Sequence, residues 1–175
     1  MIRVVATGSE CTGKTTLAAA LASHYETDWV PEYVRHFVEE KGDAPVYEDV
    51  DAIARGQIAL EDEHIARLPR VLVQDADLLS TVVYSNHYYG DCPSWIEGAL
   101  RGRAADLYLL CDIDVPWVPD GDQRDRGDRR DQMHALFRDA LKVRSLPFVE
   151  VAGDHGSRLA TAVAAVDALI MGSGG

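Results

Sequence analysis

Short apolar runs alternate with amphipathic stretches along nearly the whole chain. Ile2 to Thr7 reads as a short buried strand, and Thr15 to Ala22 as the helix that follows it. Thr27 to Pro31 reads as a second strand ending at the proline. Glu32 to Glu40 reads helical, and Gly42-Asp43-Ala44-Pro45 breaks the pattern. Between Glu48 and Leu68, apolar residues recur at Val50, Ile53, Ala54, Ile58, Ala59 and Ile65, the spacing of an amphipathic helix with acidic outward positions. Arg70 to Asp75 is an apolar run closing on a carboxylate, as expected of a buried parallel strand. Asp77 to Tyr89 reads as a helix stopped by Gly90-Asp91-Cys92-Pro93, and Asp106 to Cys111 as another buried strand. Asp112 to Gly127 is polar and irregular. A helix over about Asp128–Arg144, the strand Phe148–Val151 and a helix over about Ser157–Met171 complete the series. Strands alternating with helices predict an α/β three-layer fold with a five-stranded parallel sheet, whose ligands sit at the carboxyl ends of the strands. One domain is expected over residues 1–171, with Gly172 to Gly175 as a disordered tail.

The first strand-to-helix junction is the most specific feature. Gly8-Ser9-Glu10-Cys11-Thr12-Gly13-Lys14-Thr15 completes the pattern G-x-x-x-x-G-K-[ST], the P-loop. The glycines let the backbone curl so that its N–H groups face a polyphosphate. Lys14 supplies positive charge to the β/γ-phosphates, and the Thr15 hydroxyl is placed to ligate Mg²⁺. With Thr16, this segment is the expected ATP-binding loop, at the positive end of its helix. The fold expected is therefore that of a P-loop NTPase of the nucleoside- or nucleotide-kinase type.

Composition narrows the partners. The chain has 175 residues and a formal net charge of −12, which disfavours a nucleic-acid ligand. It has no apolar run long enough to span a bilayer, and no basic, apolar stretch suggests export. Cys11, Cys92 and Cys111 are odd in number and widely spaced, so neither a disulfide framework nor a zinc knuckle is indicated. The expectation is a cytoplasmic protein acting on a small molecule, with homo-oligomerisation left open.

The residues just past each strand supply the chemistry. Phosphoryl transfer needs a carboxylate to support Mg²⁺, a group that orients or deprotonates the nucleophile, and positive charge for the transition state. Asp75, closing an apolar strand, is the best metal candidate, with Thr15, and has the Walker B arrangement; the alternative is a cap for the next helix. Glu32 is the first candidate for general base on an acceptor hydroxyl, and otherwise an acid favouring a helix start. Asp77 is a candidate to bind a sugar hydroxyl, to act as the base instead, or to cap a helix. Arg35 is placed to hold a phosphate or a carboxylate. Gly121 to Arg130 holds four arginines among three acids. It reads either as a solvated loop or as a lid whose arginines reach the phosphates, with Arg124 and Arg129 or Arg130 as candidates. Trp29, Tyr33, Trp95 and Trp117 are candidates to stack on an aromatic base, each also a plausible packing residue. A nucleotide-gated switch is the competing class, but the guanine motif N-K-x-D and a D-x-x-G switch after the third strand are absent.

Several segments together resemble the ribosylnicotinamide kinase domain of NadR-type proteins, P-loop enzymes of NAD metabolism. They are the phosphate loop, Pro31-Glu32-Tyr33-Val34-Arg35-His36-Phe37, Gly56-Gln57, Gln74-Asp75-Ala76-Asp77-Leu78-Leu79-Ser80-Thr81 and Trp117-Val118-Pro119-Asp120-Gly121, in order over nearly the whole chain. The resemblance implies ATP- and Mg²⁺-dependent phosphorylation of the 5′-hydroxyl of nicotinamide riboside, giving nicotinamide mononucleotide. It implies that Glu32, Tyr33, Arg35, Asp75, Asp77 and Trp117 face the nucleoside and the transferring phosphate. Family members also carry a nucleotidyltransferase domain that this sequence lacks, so adenylylation of the product is expected to be another protein's task. The lid departs from the family pattern, with Asp122-Gln123-Arg124 following Gly121.

Overall fold

The computed structural model describes residues 1–116 and 129–172. Five parallel strands form one sheet in the order β2-β3-β1-β4-β5: β1 (Ile2–Thr7), β2 (Trp29–Val30), β3 (Val71–Asp75), β4 (Leu107–Cys111) and β5 (Phe148–Val151). β1 lies at the centre, paired to β3 from Ile2↔Val71 to Ala6↔Asp75 and to β4 from Val4↔Leu107 to Thr7↔Leu110. This is the predicted α/β three-layer P-loop fold.

Alternation along the strands sorts the core into two layers. Val4, Ala6, Val71, Val73, Leu107 and Leu109 pack against α1 (Lys14–His24) and α7 (His155–Gly172) through Leu17, Leu21, Ala162 and Val166. Val5, Tyr108 and Leu110 face the opposite way. They pack against α3 (Val50–Ile65), α4 (Leu78–Tyr89), α5 (Ser94–Arg103) and α6 (Arg130–Val143). α2 (Tyr33–Lys41) rests on α3, preceded by a 3₁₀ turn at Tyr47–Asp49. The sheet is buried on both faces, which explains why its strands read as unbroken apolar runs.

The structure adds one element to those predicted. α5 lies in the stretch between Pro93 and Asp106, which the periodicity left without an element, and it buries Ile96 and Leu100 one turn apart. The last helix extends to Gly172, so that residue belongs to α7; residues 173–175 lie outside the described residues. Among the described residues no helix is long and apolar enough to cross a membrane.

Candidate active site

The loop after β1 enters α1 with Gly13 at the N-cap (φ 81°), no side-chain cap and no acid in the first turn. The helix's N–H groups and positive end are therefore directed at the loop without a competing carboxylate. Gly8 (φ 133°) permits the tight approach to β4: an added Cβ would stand 3.0 Å from the Cys111 carbonyl oxygen. Within the loop, Thr12 Oγ1 and Lys14 Nζ both donate to the Ser9 carbonyl, at 2.8 Å each. Arg158, buried at the start of α7, fixes the loop from behind. It donates to the Thr12 carbonyl at 2.6 Å, to Gly153 and Asp112 carbonyls at 3.0 Å, and to the Asp114 carboxylate.

Register carries Asp75 to the same place. Val71 and Val73 face α1, so Asp75 does too, and its Oδ2 accepts from Thr15 Oγ1 at 2.5 Å. The other oxygen, Oδ1, is buried with no partner among the described residues. A hydroxyl and an orphaned carboxylate oxygen beside a phosphate cradle form the donor set that Mg²⁺ prefers. Among the described residues no cluster of three or more His, Cys, Asp or Glu is arranged to hold a metal.

Ala76 then adopts a left-handed conformation (φ 63°), unusual for a residue with a side chain, and turns the chain so that Asp77 faces the opposite layer. Asp77 caps α4 through Oδ1, which accepts from Leu79 N at 3.0 Å, while Oδ2 accepts from the buried Tyr108 hydroxyl at 2.8 Å. Burial pushes its carboxyl up to about 7, against the pull of these two donors. The capping role and a place in the site thus coexist, because Asp77 also lines a cavity of about 430 Å³.

This cavity begins at Glu10 and Lys14 and runs between α2, α3 and α4. Glu32 and Arg35 line it, joined by an ion pair of 3.3 Å between Arg35 Nε and Glu32 Oε2. Ser80, Thr81, Tyr84, Ser85, Tyr88 and Tyr89 extend along α4 as its long wall. The strand-two junction is positioned by Gln57, whose Oε1 accepts from Tyr33 N at 2.8 Å and whose Nε2 donates to the Pro31 carbonyl at 3.3 Å.

Tyr33 is not among the cavity-lining residues. Its ring covers Gly56, where an added Cβ would lie 2.1 Å from the ring, and it meets His36 edge-on. Trp95 donates to Asp51 at 2.8 Å beneath the Arg55 guanidinium, and Trp29 sits half-exposed on β2, so neither lines the cavity. The aromatic wall is instead Tyr84, Tyr88 and Tyr89. Their spacing of four from Ser80 to Tyr84 to Tyr88, on the helix that follows Asp77, was the available signal. Trp117 and Arg124 lie outside the described residues. Arg129 is exposed at the N-cap of α6, whereas Arg130 reaches the loop, donating to Val115 at 2.9 Å and to the Cys11 carbonyl at 3.4 Å.

The model for AAA_28, an AAA domain family, matches residues 3–158. The chain belongs to this family. The AAA_28 domain is 31% identical over 165 residues to the trifunctional NAD biosynthesis/regulator protein NadR of Escherichia coli (strain K12), covering 90% of this chain and 40% of NadR. It superposes on NadR protein in complex with NAD and AMP-PNP with a TM-score of 0.72 at 21% identity, over 94% of this chain and 48% of that one. A NadR structure in complex with NR gives a TM-score of 0.71 at 22% identity, over 94% and 50%. The AAA_28 domain thus spans half or less of the NadR proteins it matches. The likeness to NadR-type proteins read from the motifs is borne out, and the fold is that of a nucleotide-binding, kinase-like P-loop domain.

Proposed function

We propose that this domain is an ATP- and Mg²⁺-dependent kinase that phosphorylates the 5′-hydroxyl of nicotinamide riboside. The observation that carries the reading is the cavity. It opens beside Lys14, has carboxylates Glu32 and Asp77 near that end, and continues between tyrosines. A donor cradle joined to an aromatic-walled acceptor cavity suits transfer to a nucleoside better than hydrolysis or switching. The NadR relative named for NAD biosynthesis and the NadR complex with NR point to the same acceptor.

In this reading Gly8 to Thr16 cradle the triphosphate and Lys14 follows the transferring charge. Thr15 and Asp75 would hold Mg²⁺, which when bound neutralises the phosphate oxygens. Glu32 and Asp77 orient the acceptor hydroxyl. Asp77, with a proton affinity near neutrality, is the better matched proton acceptor, and Glu32 is steadied by Arg35. Arg130 brings positive charge over the loop, with Arg124 and Arg129 as the further lid candidates. The cavity also favours a nucleoside over a nucleoside monophosphate. Four carboxylates line it, Glu10, Glu32, Glu39 and Asp77, against Lys14 and Arg35.

The test is a panel of nucleosides and nucleoside monophosphates incubated with ATP and Mg²⁺, read by phosphate transfer. Nicotinamide riboside is expected to give the highest kcat/KM. ATP turnover that no nucleoside changes, or a monophosphate as the best acceptor, would overturn the proposal.

A further inference from the structure

Five side chains that line the cavity are both polar and buried: Lys14, Gln57, Asp77, Ser80 and Ser85. Four have protein partners. Lys14 donates to the Ser9 carbonyl, Gln57 bridges Tyr33 and Pro31, Asp77 accepts from Leu79 and Tyr108, and Ser85 donates to the Asp91 carbonyl at 2.6 Å. Ser80 differs. It is 5% exposed, and its Oγ has no partner among the described residues. A buried hydroxyl left unmatched costs stability, and native proteins rarely keep one without a reason. Rotation about its single χ1 bond turns the hydroxyl between the helix and the cavity.

Position along α4 indicates what this hydroxyl meets. At a rise of about 1.5 Å per residue, Ser80 stands about 4.5 Å beyond Asp77 and Tyr84 about 10 Å beyond it. A nucleoside laid along the helix, with its 5′-hydroxyl near Asp77 and Lys14 and its base against Tyr84 and Tyr88, has its ribose beside Ser80. We propose that Ser80 is a specificity-determining residue that hydrogen-bonds a secondary hydroxyl of the acceptor's ribose and so selects ribosides over deoxyribosides. The inference rests on the kinase reading above and adds the sugar class to it.

The test compares kcat/KM for nicotinamide riboside and its 2′-deoxy and 3′-deoxy analogues in the wild type and in Ser80→Ala. In the wild type at least one deoxy analogue is expected to be poorer by tenfold or more, and in Ser80→Ala that penalty should shrink at least threefold. A site that only packs would lower all three substrates by the same factor. That result, or a wild type without the tenfold penalty, would overturn the proposal. Should Ser80→Ala fail to fold, judged by its thermal transition, Ser80→Cys keeps the side-chain volume with a poor hydrogen-bonding group and should show the same collapse. If none of the three substrates is phosphorylated, the kinase reading itself falls, and a uniform loss with activity retained removes only the role of Ser80.

Discussion

Asp77 combines two demands that usually fall on different residues. As the α4 cap and the acceptor of the Tyr108 hydrogen bond it is structural, and as a cavity-lining carboxyl it belongs to the candidate site. Its carboxyl sits at about 7, above the ordinary 3.8, because burial disfavours the charge. Between those values the unfolded chain has lost this proton while the folded chain keeps it, so stability falls as pH rises through the window and the cost is complete above pH 7. Asn is an equally good N-cap. Asp77→Asn is therefore expected to raise Tm relative to wild type by about 3 °C or more at pH 8, with the gain fading towards pH 4. Thermal melts of both proteins at matched pH values measure it, and a gain independent of pH would mean that the carboxyl is not held in this way. The same variant should lose kcat by about two orders of magnitude if Asp77 takes the proton. That the loop Gly8 to Thr15 and the carboxylate Asp75 lie together was legible, because the P-loop pattern and an acid closing an apolar strand both stand out in sequence. Ser80 was not, since a serine's lack of a partner appears only when its neighbours are in place.

The turn from β2 into α2 shows how an element reaches its position. Tyr33 begins α2, and its ring covers α3 at Gly56, the one position where a glycine backbone lets the ring lie flat, while Gln57 ties the junction through two hydrogen bonds. Glycine inside an exposed helix normally gives way to alanine with a gain of about 1 kcal/mol. At position 56 the sign reverses, because the new Cβ would lie 2.1 Å from the Tyr33 ring. Gly56→Ala is expected to cost about 1–3 kcal/mol in urea denaturation and to weaken acceptor binding through the displaced Glu32. Gly56→Ala in a Tyr33→Ala background should recover most of the helix gain, which separates ring contact from a general intolerance of α3. The elements themselves were largely readable, as strands buried on both faces leave continuous apolar runs and the helices carry a 3.6-residue period. α5 escaped because Gly98 and Gly102 interrupt it and only Ile96 and Leu100 are buried. Trp29, Tyr33 and Trp95, named as stacking candidates, are not among the residues that line the cavity, for a related reason. Sequence order gives no indication of which face of α2 meets α3, and that contact turns Tyr33 out of the cavity.

Over the whole molecule, one buried guanidinium ties three segments at the carboxyl edge of the sheet to one another. Arg158, at the start of α7, joins the loop after β1 at Thr12, the segment after β4 at Asp112 and Asp114, and the turn after β5 at Gly153. These segments are distant in sequence and follow neighbouring strands. The Gly153 N–H bond and Arg158 together hold the Asp114 carboxyl below the usual carboxylate range, so the junction is charged at neutral pH. Arg158→Met keeps much of the apolar stem but leaves three carbonyls and a carboxylate without their donor. A loss of about 3 kcal/mol or more is expected, larger than for a surface ion pair, because the carbonyl of the buried Thr12 is stranded with the others. Its functional consequence differs from that of Lys14→Met. Lys14 contributes charge, so its replacement should abolish phosphate transfer and nucleotide-induced stabilisation while the unliganded Tm stays near wild type. Arg158 contributes loop position, so Arg158→Met should lower the unliganded Tm and yet retain some stabilisation by saturating Mg²⁺ and ATP, since ligand binding restores order by mass action. Thermal melts of both variants with and without nucleotide distinguish the two cases. An Arg158→Met protein with wild-type Tm would show that the loops at this edge hold their places without it.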